Sequence, residues 1–183
     1  SSVRQFIGDG QRQYLSGMFL GGQRILVLMD SSASMLDNTL VNIIRTRNMD
    51  DDRKRNAPKW QRVVKTVDWI STQLPVTSRY QVWHFNQDHS SVLEGTTETW
   101  LEVADRDQLN QVIVGAEQVV PQNGTNLQQV FRAASNMNPR PDNIFLITDG
   151  LPTLGARESR DNLITPNRRM ELFEEAVEEN IKL

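Results

Sequence analysis

The apolar residues of this chain form short blocks separated by polar turns. Ile25 to Met29 are all apolar and precede an aspartate and two serines, a pattern typical of a strand buried on both faces of a parallel sheet. Asn143 to Thr148 form a similar block before Asp149. Tyr80 to Phe85, rich in aromatic and β-branched side chains, predict a third strand. Shorter edge strands are expected at Ser91 to Leu93 and Thr97 to Val103.

Other stretches repeat apolar residues at helical spacing. Lys59 to Leu74 predict an amphipathic helix, with Trp60 in the core and Trp69 facing outward. Further helices are expected from Asp105 to about Val119, from Leu127 onward, and at Met170 to Asn180, which has an acidic solvated side. Strands that alternate with such helices predict an α/β fold whose mainly parallel sheet is covered on both faces.

Three segments fit neither pattern. Residues 1–22 form a polar lead that contains several glycines. Residues 36–58 contain an amphipathic fragment and then basic residues interrupted by three aspartates, and such mixed charge predicts a solvated loop. Pro152 to Pro166 is a predicted loop as well.

Composition narrows the classes of function. The 183 residues fit one domain of ordinary size, and 20 basic against 23 acidic residues do not favour nucleic acid as a partner. No apolar run approaches the ~20 residues that a membrane span needs. The absence of cysteine excludes disulfides and thiolate metal sites and leaves the compartment open. Because the chain begins with Ser1-Ser2, we expect a processed or excised piece.

Oxygen-bearing side chains follow the predicted buried strands. Asp30 and Asp149 each end a strand, and ligands of open parallel sheets bind beyond the carboxyl ends of strands. Ser32 and Ser34 alternate after Asp30, and Thr125 begins a predicted helix. Hard oxygen donors of this kind match Mg²⁺, Mn²⁺ or Ca²⁺ and argue against zinc or copper.

The charges of these side chains suggest what such a metal ion would do. If the hydroxyls contact the ion and the carboxylates act largely through water, the divalent charge is poorly neutralised and one coordination position stays open. The ion would then attract a carboxylate from another molecule. Few directly bound anions also imply weak metal binding, with a dissociation constant of about 10⁻⁴ to 10⁻³ M.

Each candidate residue also has a simpler explanation. Serine, threonine and aspartate favour helix caps and turns in any protein, although this does not explain the joint pattern. His84 and His89 are expected to be an ordinary strand histidine and loop histidine. The chain has no G-x-S-x-G nucleophile elbow and no glycine-rich phosphate loop, so neither a serine hydrolase nor a nucleotide site has a motif.

Together these residues resemble a known family. Asp30-Ser31-Ser32-Ala33-Ser34 after a hydrophobic strand, Gly124-Thr125 at a helix start and Thr148-Asp149-Gly150 after a second strand are similar to the von Willebrand factor A (VWA) domain with its metal-ion-dependent adhesion site (MIDAS). The resemblance covers roughly residues 23–183 and divides the chain into a lead, 1–22, and a VWA-like domain.

The resemblance carries expectations about fold and site. It implies a three-layer, Rossmann-like, doubly wound α/β fold, with a mainly parallel sheet, one antiparallel edge strand and helices on both faces. It implies that Ser32, Ser34 and Thr125 coordinate the ion directly, while Asp30 and Asp149 bind through water or switch with conformation. The partner would be a protein that offers an Asp or Glu side chain to the metal.

Two departures from the family matter. Residues 36–58 are longer than the usual link after the Ser-x-Ser turn and lie beside the predicted metal, where they would be a specificity element or a lid. The chain also stops at Leu183, where the family's next strand would begin, so it is expected to lack the last strand and C-terminal helix. Either the chain is cut, some residues are absent, or a partner completes the sheet.

The sequence therefore favours a metal-dependent protein–protein interaction module rather than an enzyme. One alternative is a docking or regulatory subunit of a larger ATPase or membrane-associated complex. Another is a metal-dependent hydrolase, which lacks an evident general base. Family resemblance leans toward an extracytoplasmic or membrane-tethered location and leaves the cytoplasm open, and it does not specify an oligomeric state.

Overall fold

The computed structural model describes residues 22–148, together with the backbone of residues 5–8 and 11–16. These residues form a mixed α/β unit around one sheet. In chain order its elements are β1 (Gln5–Gly8), β2 (Gln11–Ser16), β3 (Arg24–Asp30), α1 (Leu40–Arg47), α2 (Asp51–Arg55), α3 (Pro58–Gln73), β4 (Arg79–Phe85), β5 (His89–Ser91), β6 (Leu101–Glu102), α4 (Arg106–Gln118), α5 (Leu127–Asn136) and β7 (Asn143–Thr148).

The sheet has the strand order β1-β2-β7-β3-β4-β5, and β6 also pairs with β4. Its centre is parallel, because β3 runs parallel to both β4 and β7. This confirms the predicted parallel core. The expectation of antiparallel pairing at one edge only is wrong, since β2 is antiparallel to β7 at one side and β5 and β6 are antiparallel to β4 at the other.

The short connections explain the antiparallel edges. Only Asn86, Gln87 and Asp88 separate β4 from β5, and a link of this length can join only antiparallel neighbours. As a result His89 pairs with Phe85 and begins β5, whereas the sequence suggested a loop histidine. The second predicted edge strand is reduced to β6.

Strand β3 is buried on both faces, as predicted. Ile25, Val27 and Met29 pack in one apolar cluster with residues of α3 and α4. Leu26 and Leu28 point the other way, into a cluster with residues of α5. The alternation follows from the pleat of a strand, and it places the end of β3 between two packed groups of helices.

Helix α3 agrees closely with its prediction. Pro58 occupies the first turn, where its missing N–H costs nothing, and the helix ends at Gln73, shortly before Pro75. Its apolar stripe is buried, including Trp60, whereas Trp69 is 43% exposed. The predicted cap of α4 is also present, with Asp105 accepting a hydrogen bond from the Gln108 amide. The predicted apolar stripe of α5 is buried.

Residues 36–58 are not a loop, contrary to the prediction. They contain α1 and α2, whose residues are exposed or half-buried, so only the expectation of solvation is confirmed. The cap of α2, Asp50, and the two aspartates of its first turn each lie three positions before a cation, which allows i,i+3 ion pairs. Acids at the start of the helix and cations at its end also suit the helix dipole. The mixed charge that suggested a loop therefore stabilises a short helix.

The strands of the N-terminal lead were not predicted from the sequence. β1 and β2 form an antiparallel pair, and β2 pairs with β7, so residues 5–8 and 11–16 extend the sheet. The predicted loop Pro152 to Pro166, the helix Met170 to Asn180 and the expected loss of the family's last strand and helix concern residues outside those described. Within residues 22–148, each helix is too short or too polar to cross a membrane.

Candidate metal centre

Two loops meet at the carboxyl end of β3. After Asp30 the chain passes through Ser31 and Ser32 into a 3₁₀ turn, Ala33–Leu36, and the second loop precedes α5. The Gln122 amide donates to the Ser31 carbonyl oxygen at 2.8 Å, and the Ala33 amide donates to the Asn123 carbonyl oxygen at 2.9 Å. These reciprocal bonds keep the two loops side by side.

The second loop is also bonded to the sheet edge. The Asn126 amide donates to the Asn86 carbonyl oxygen at 2.8 Å, just beyond the end of β4. Asn123 has a φ of 65°, a left-handed conformation that asparagine tolerates better than most residues. The loop that carries Thr125 is therefore defined by its backbone contacts on both sides.

The Asp30 carboxylate is buried, with 1% exposure. One oxygen, Oδ1, accepts a hydrogen bond from the Ser32 amide at 2.9 Å. The other, Oδ2, accepts from the Thr148 hydroxyl at 2.7 Å. Asp30 therefore links the serine turn to the end of β7. A buried carboxylate carries a high desolvation cost, which these two donors offset in part.

The two predicted serine ligands face each other, with 2.8 Å between their Oγ atoms. Ser32 occupies the position before the 3₁₀ turn, yet its side chain makes no capping bond. Adjacent ligands of an octahedral Mg²⁺ at ~2.0–2.1 Å are about 2.9 Å apart, so the hydroxyl pair has a spacing that such an ion accepts.

Thr125 lies two residues before the first residue of α5 and is 3% exposed. The cap of α5 is the next residue, Asn126, whose side chain accepts from the Gln129 amide at 3.1 Å. Helix capping thus accounts for Asn126, whereas the Ser32 side chain makes no capping bond. The turn part of the simpler explanation stands, because Asp30 accepts from the amide two residues on, as in an ordinary aspartate turn.

The fifth predicted ligand, Asp149, lies outside the described residues. The structure therefore brings together Asp30, Ser32 and Ser34 and sets the loop of Thr125 against them, while the role of Asp149 stays a prediction. In the described part of the chain no three His, Cys, Asp or Glu side chains converge on a point. The predicted donor set contains only two acids, and its remaining donors are hydroxyls.

Lys59 helps to position the serine turn, a role that was not predicted from the sequence. This first-turn residue of α3 is 8% exposed, and its ammonium donates to the carbonyl oxygens of Ser34 at 2.6 Å and Asp37 at 3.0 Å. A cation near a helix N-terminus interacts unfavourably with the helix dipole. A lysine at this position is therefore a weak signal that its ammonium has another partner. Here Lys59 bonds the serine turn to α3.

A second connection passes through Ser31 and His84. Ser31 is fully buried, and its hydroxyl donates to the Phe85 carbonyl oxygen at 3.1 Å and lies 3.3 Å from His84 Nδ1. His84 Nε2 lies 2.8 Å from the Ser90 hydroxyl. Burial lowers the pKa of His84, and nearby His89 lowers it further, so His84 is neutral at pH 7 and couples the serine turn to β4 and β5.

Comparison of the sequence with protein-family models and with curated proteins gave no match.

Proposed function

We propose that this chain is a VWA-like, metal-dependent protein–protein interaction module. Mg²⁺, with Mn²⁺ or Ca²⁺ as alternatives, would bind at Ser32, Ser34 and Thr125, with Asp30 and Asp149 acting through water. The observation that carries the proposal is the meeting of two hydroxyl-bearing loops with a buried carboxylate at the carboxyl end of β3.

The fold supports this proposal. A parallel centre with α3 and α4 packed on one set of β3 side chains and α5 on the other fits the three-layer, Rossmann-like arrangement of the family. In such sheets the crevice beyond the strand ends is where ligands bind. The candidate residues lie at that end of the central strand.

The chemistry of the donors explains why a partner would bind. Neutral hydroxyls leave much of the charge of a divalent ion uncompensated, so the bound ion would attract an Asp or Glu side chain from outside. The chain's own residues keep the site in order beforehand: Asp30 accepts from the Ser32 amide, and Lys59 donates to the Ser34 carbonyl oxygen. A site arranged before binding loses less entropy when it binds.

The test is the effect of magnesium on thermal stability, with and without acetate. At about 10 mM Mg²⁺ and the expected affinity, the parent should gain about 1.4 to 2.7 kcal/mol, and more with acetate. Asp30→Asn and Ser32→Ala should lose this gain. Asp105→Asn, which keeps a good cap on α4, and Ser71→Ala, in α3, are matched controls that should keep it. Equal gains in all five proteins, or none in the parent, would refute the proposal.

A docking or regulatory subunit of a larger complex is the second candidate. It is favoured by the surface of α1, where Leu40 and Val41 are 67% and 75% exposed. If this candidate is correct, a complex should form equally well in magnesium and in chelator, and Leu40→Ser should weaken it. Loss of the complex in chelator would favour the metal-dependent module instead.

A further inference from the structure

A cavity adjoins the candidate metal centre. It has a volume of about 440 Å³ and is lined by Ala33, Gly124 and their neighbours in the second loop, and on its other side by α1 and α2. Ala33 lies between the two candidate serine ligands, and Gly124 directly precedes Thr125. The cavity therefore lies against both loops of the candidate site, and Ser32, Ser34 and Thr125 are not themselves part of its lining.

The outer wall of the cavity carries positive charge. Arg47 and Lys54 both line it, together with Asn48, and within residues 22–148 no acidic side chain does. Among the described residues Arg47 has no ion pair. Within the described part of the chain the Lys54 ammonium has one ion pair, with the exposed Asp51 carboxylate at 3.5 Å, the outer limit of a hydrogen bond.

This wall is attached to the body of the protein. Arg55 Nε donates to the Gln118 carbonyl oxygen at the end of α4, and its Nη1 contacts Asp52 at 2.7 Å. The Gln61 amide group of α3 donates to the Arg55 carbonyl oxygen at 2.6 Å. The three cations of α2 thus differ: Arg55 attaches the helix, Arg53 is 70% exposed, and Lys54 faces the cavity.

We propose that this cavity binds a second carboxylate of the same partner segment, with Arg47 and Lys54 as the recognising cations. The inference rests on the proposed function, because the first carboxylate binds at the metal. The partner segment would therefore carry two acidic side chains, and residues 36–58 would set its specificity by charge.

The experiment compares two peptide types by ¹H–¹⁵N NMR titration in magnesium at low salt. One is acetyl-Gly-Gly-Asp-Gly-Gly-amide, with a single carboxylate. The others are acetyl-Asp-(Gly)n-Asp-amide peptides with n from 0 to 3, which place the Cα atoms up to ~14 Å apart. The best diacidic peptide should bind about fivefold tighter than the monoacidic one. A diacidic peptide has two equivalent carboxylates for the metal, which alone gives about a twofold advantage on statistical grounds, so a larger factor indicates a second contact.

Matched double variants test the cations. Arg47→Gln with Lys54→Gln should reduce the diacidic advantage to about twofold. Arg45→Gln with Arg53→Gln makes the same change in net charge at residues that do not line the cavity, and it should keep the advantage. An advantage that survives in the first double variant, or disappears equally in both, would overturn the inference.

The same titrations separate this inference from the proposed function. Magnesium-dependent binding of the monoacidic peptide with no further gain for any diacidic peptide would overturn the cavity proposal alone. Absence of magnesium-dependent binding for every peptide would overturn both.

Discussion

Lys59→Met removes the ammonium that bonds the serine turn to α3 and keeps a side chain of similar length. In the parent this ammonium donates to the carbonyl oxygens of Ser34 at 2.6 Å and Asp37 at 3.0 Å. Hydrogen bonds to a charged group contribute about 1.5–3 kcal/mol each. Both acceptor residues are half-buried, so in the variant water can replace part of this hydrogen bonding. Removal of a cation from a helix N-terminus also stabilises the helix by about 0.5 kcal/mol.

The expected net loss is about 2 kcal/mol of unfolding free energy, which for a chain of this size is about 4–8 °C in Tm. Urea unfolding followed by circular dichroism in chelator measures it without any contribution from metal. Lys65→Met changes an exposed lysine of the same helix and should alter stability by less than about 0.5 kcal/mol. Equal stability of the two variants would show that the Lys59 bonds do not stabilise the turn.

Three further predictions concern the core, a helix cap and a titrating group. Leu28→Ala, at a fully buried position of β3, should cost about 2–5 kcal/mol in urea unfolding, whereas Leu40→Ala on α1 should cost less than about 0.5 kcal/mol; similar losses would contradict the described packing. Asn126→Ala should cost about 1 kcal/mol and Asn126→Asp very little, and the reverse order would show that Asn126 does not cap α5. The pKa of His84 is lowered, so below pH ~6.5 the unfolded chain binds a proton that the folded chain does not, and stability should fall as pH drops toward the lowered pKa. His84→Gln should weaken this loss of stability below pH ~6.5, and an unchanged loss would assign the dependence to other groups.

The central strands and long helices were predictable because their burial dictates a periodic pattern. The apolar run of β3 matches two buried faces, and the stripe of α3 matches one. No other secondary structure would remove as much of the apolar surface of these side chains from water. The sequence alone is sufficient for such elements.

β1, β2 and α2 were not predicted because their sequences are largely polar, and α1 was anticipated only as an amphipathic fragment. β1 and β2 lack an apolar block, although Asp9-Gly10 between them is a strong signal for a two-residue hairpin. α1 and α2 have no buried residue, and their signals are the caps Thr39 and Asp50 and the spacing of opposite charges. Hydrophobic periodicity is a weak guide to helices such as α1 and α2 that bury no residue.

Much of the candidate site followed from where the strands end. The position of Asp30 after a buried strand placed the serine turn at the ligand-binding edge, and the start of α5 placed Thr125. The contributions of Lys59 and His84 were not predictable, since both depend on contacts between residues far apart in the chain. The part of Asp149 remains a prediction.

The most direct measurement is the location of Mn²⁺, a paramagnetic substitute for Mg²⁺, by line broadening in ¹H–¹⁵N spectra. At substoichiometric Mn²⁺ we expect the backbone amides of Ser32, Ser34 and Thr125 to broaden first, to recover in excess Mg²⁺, and to stay sharp in Asp30→Asn. Broadening confined to the exposed aspartates of α2, or broadening near Ser32 that persists in Asp30→Asn, would contradict a metal centre at the end of β3.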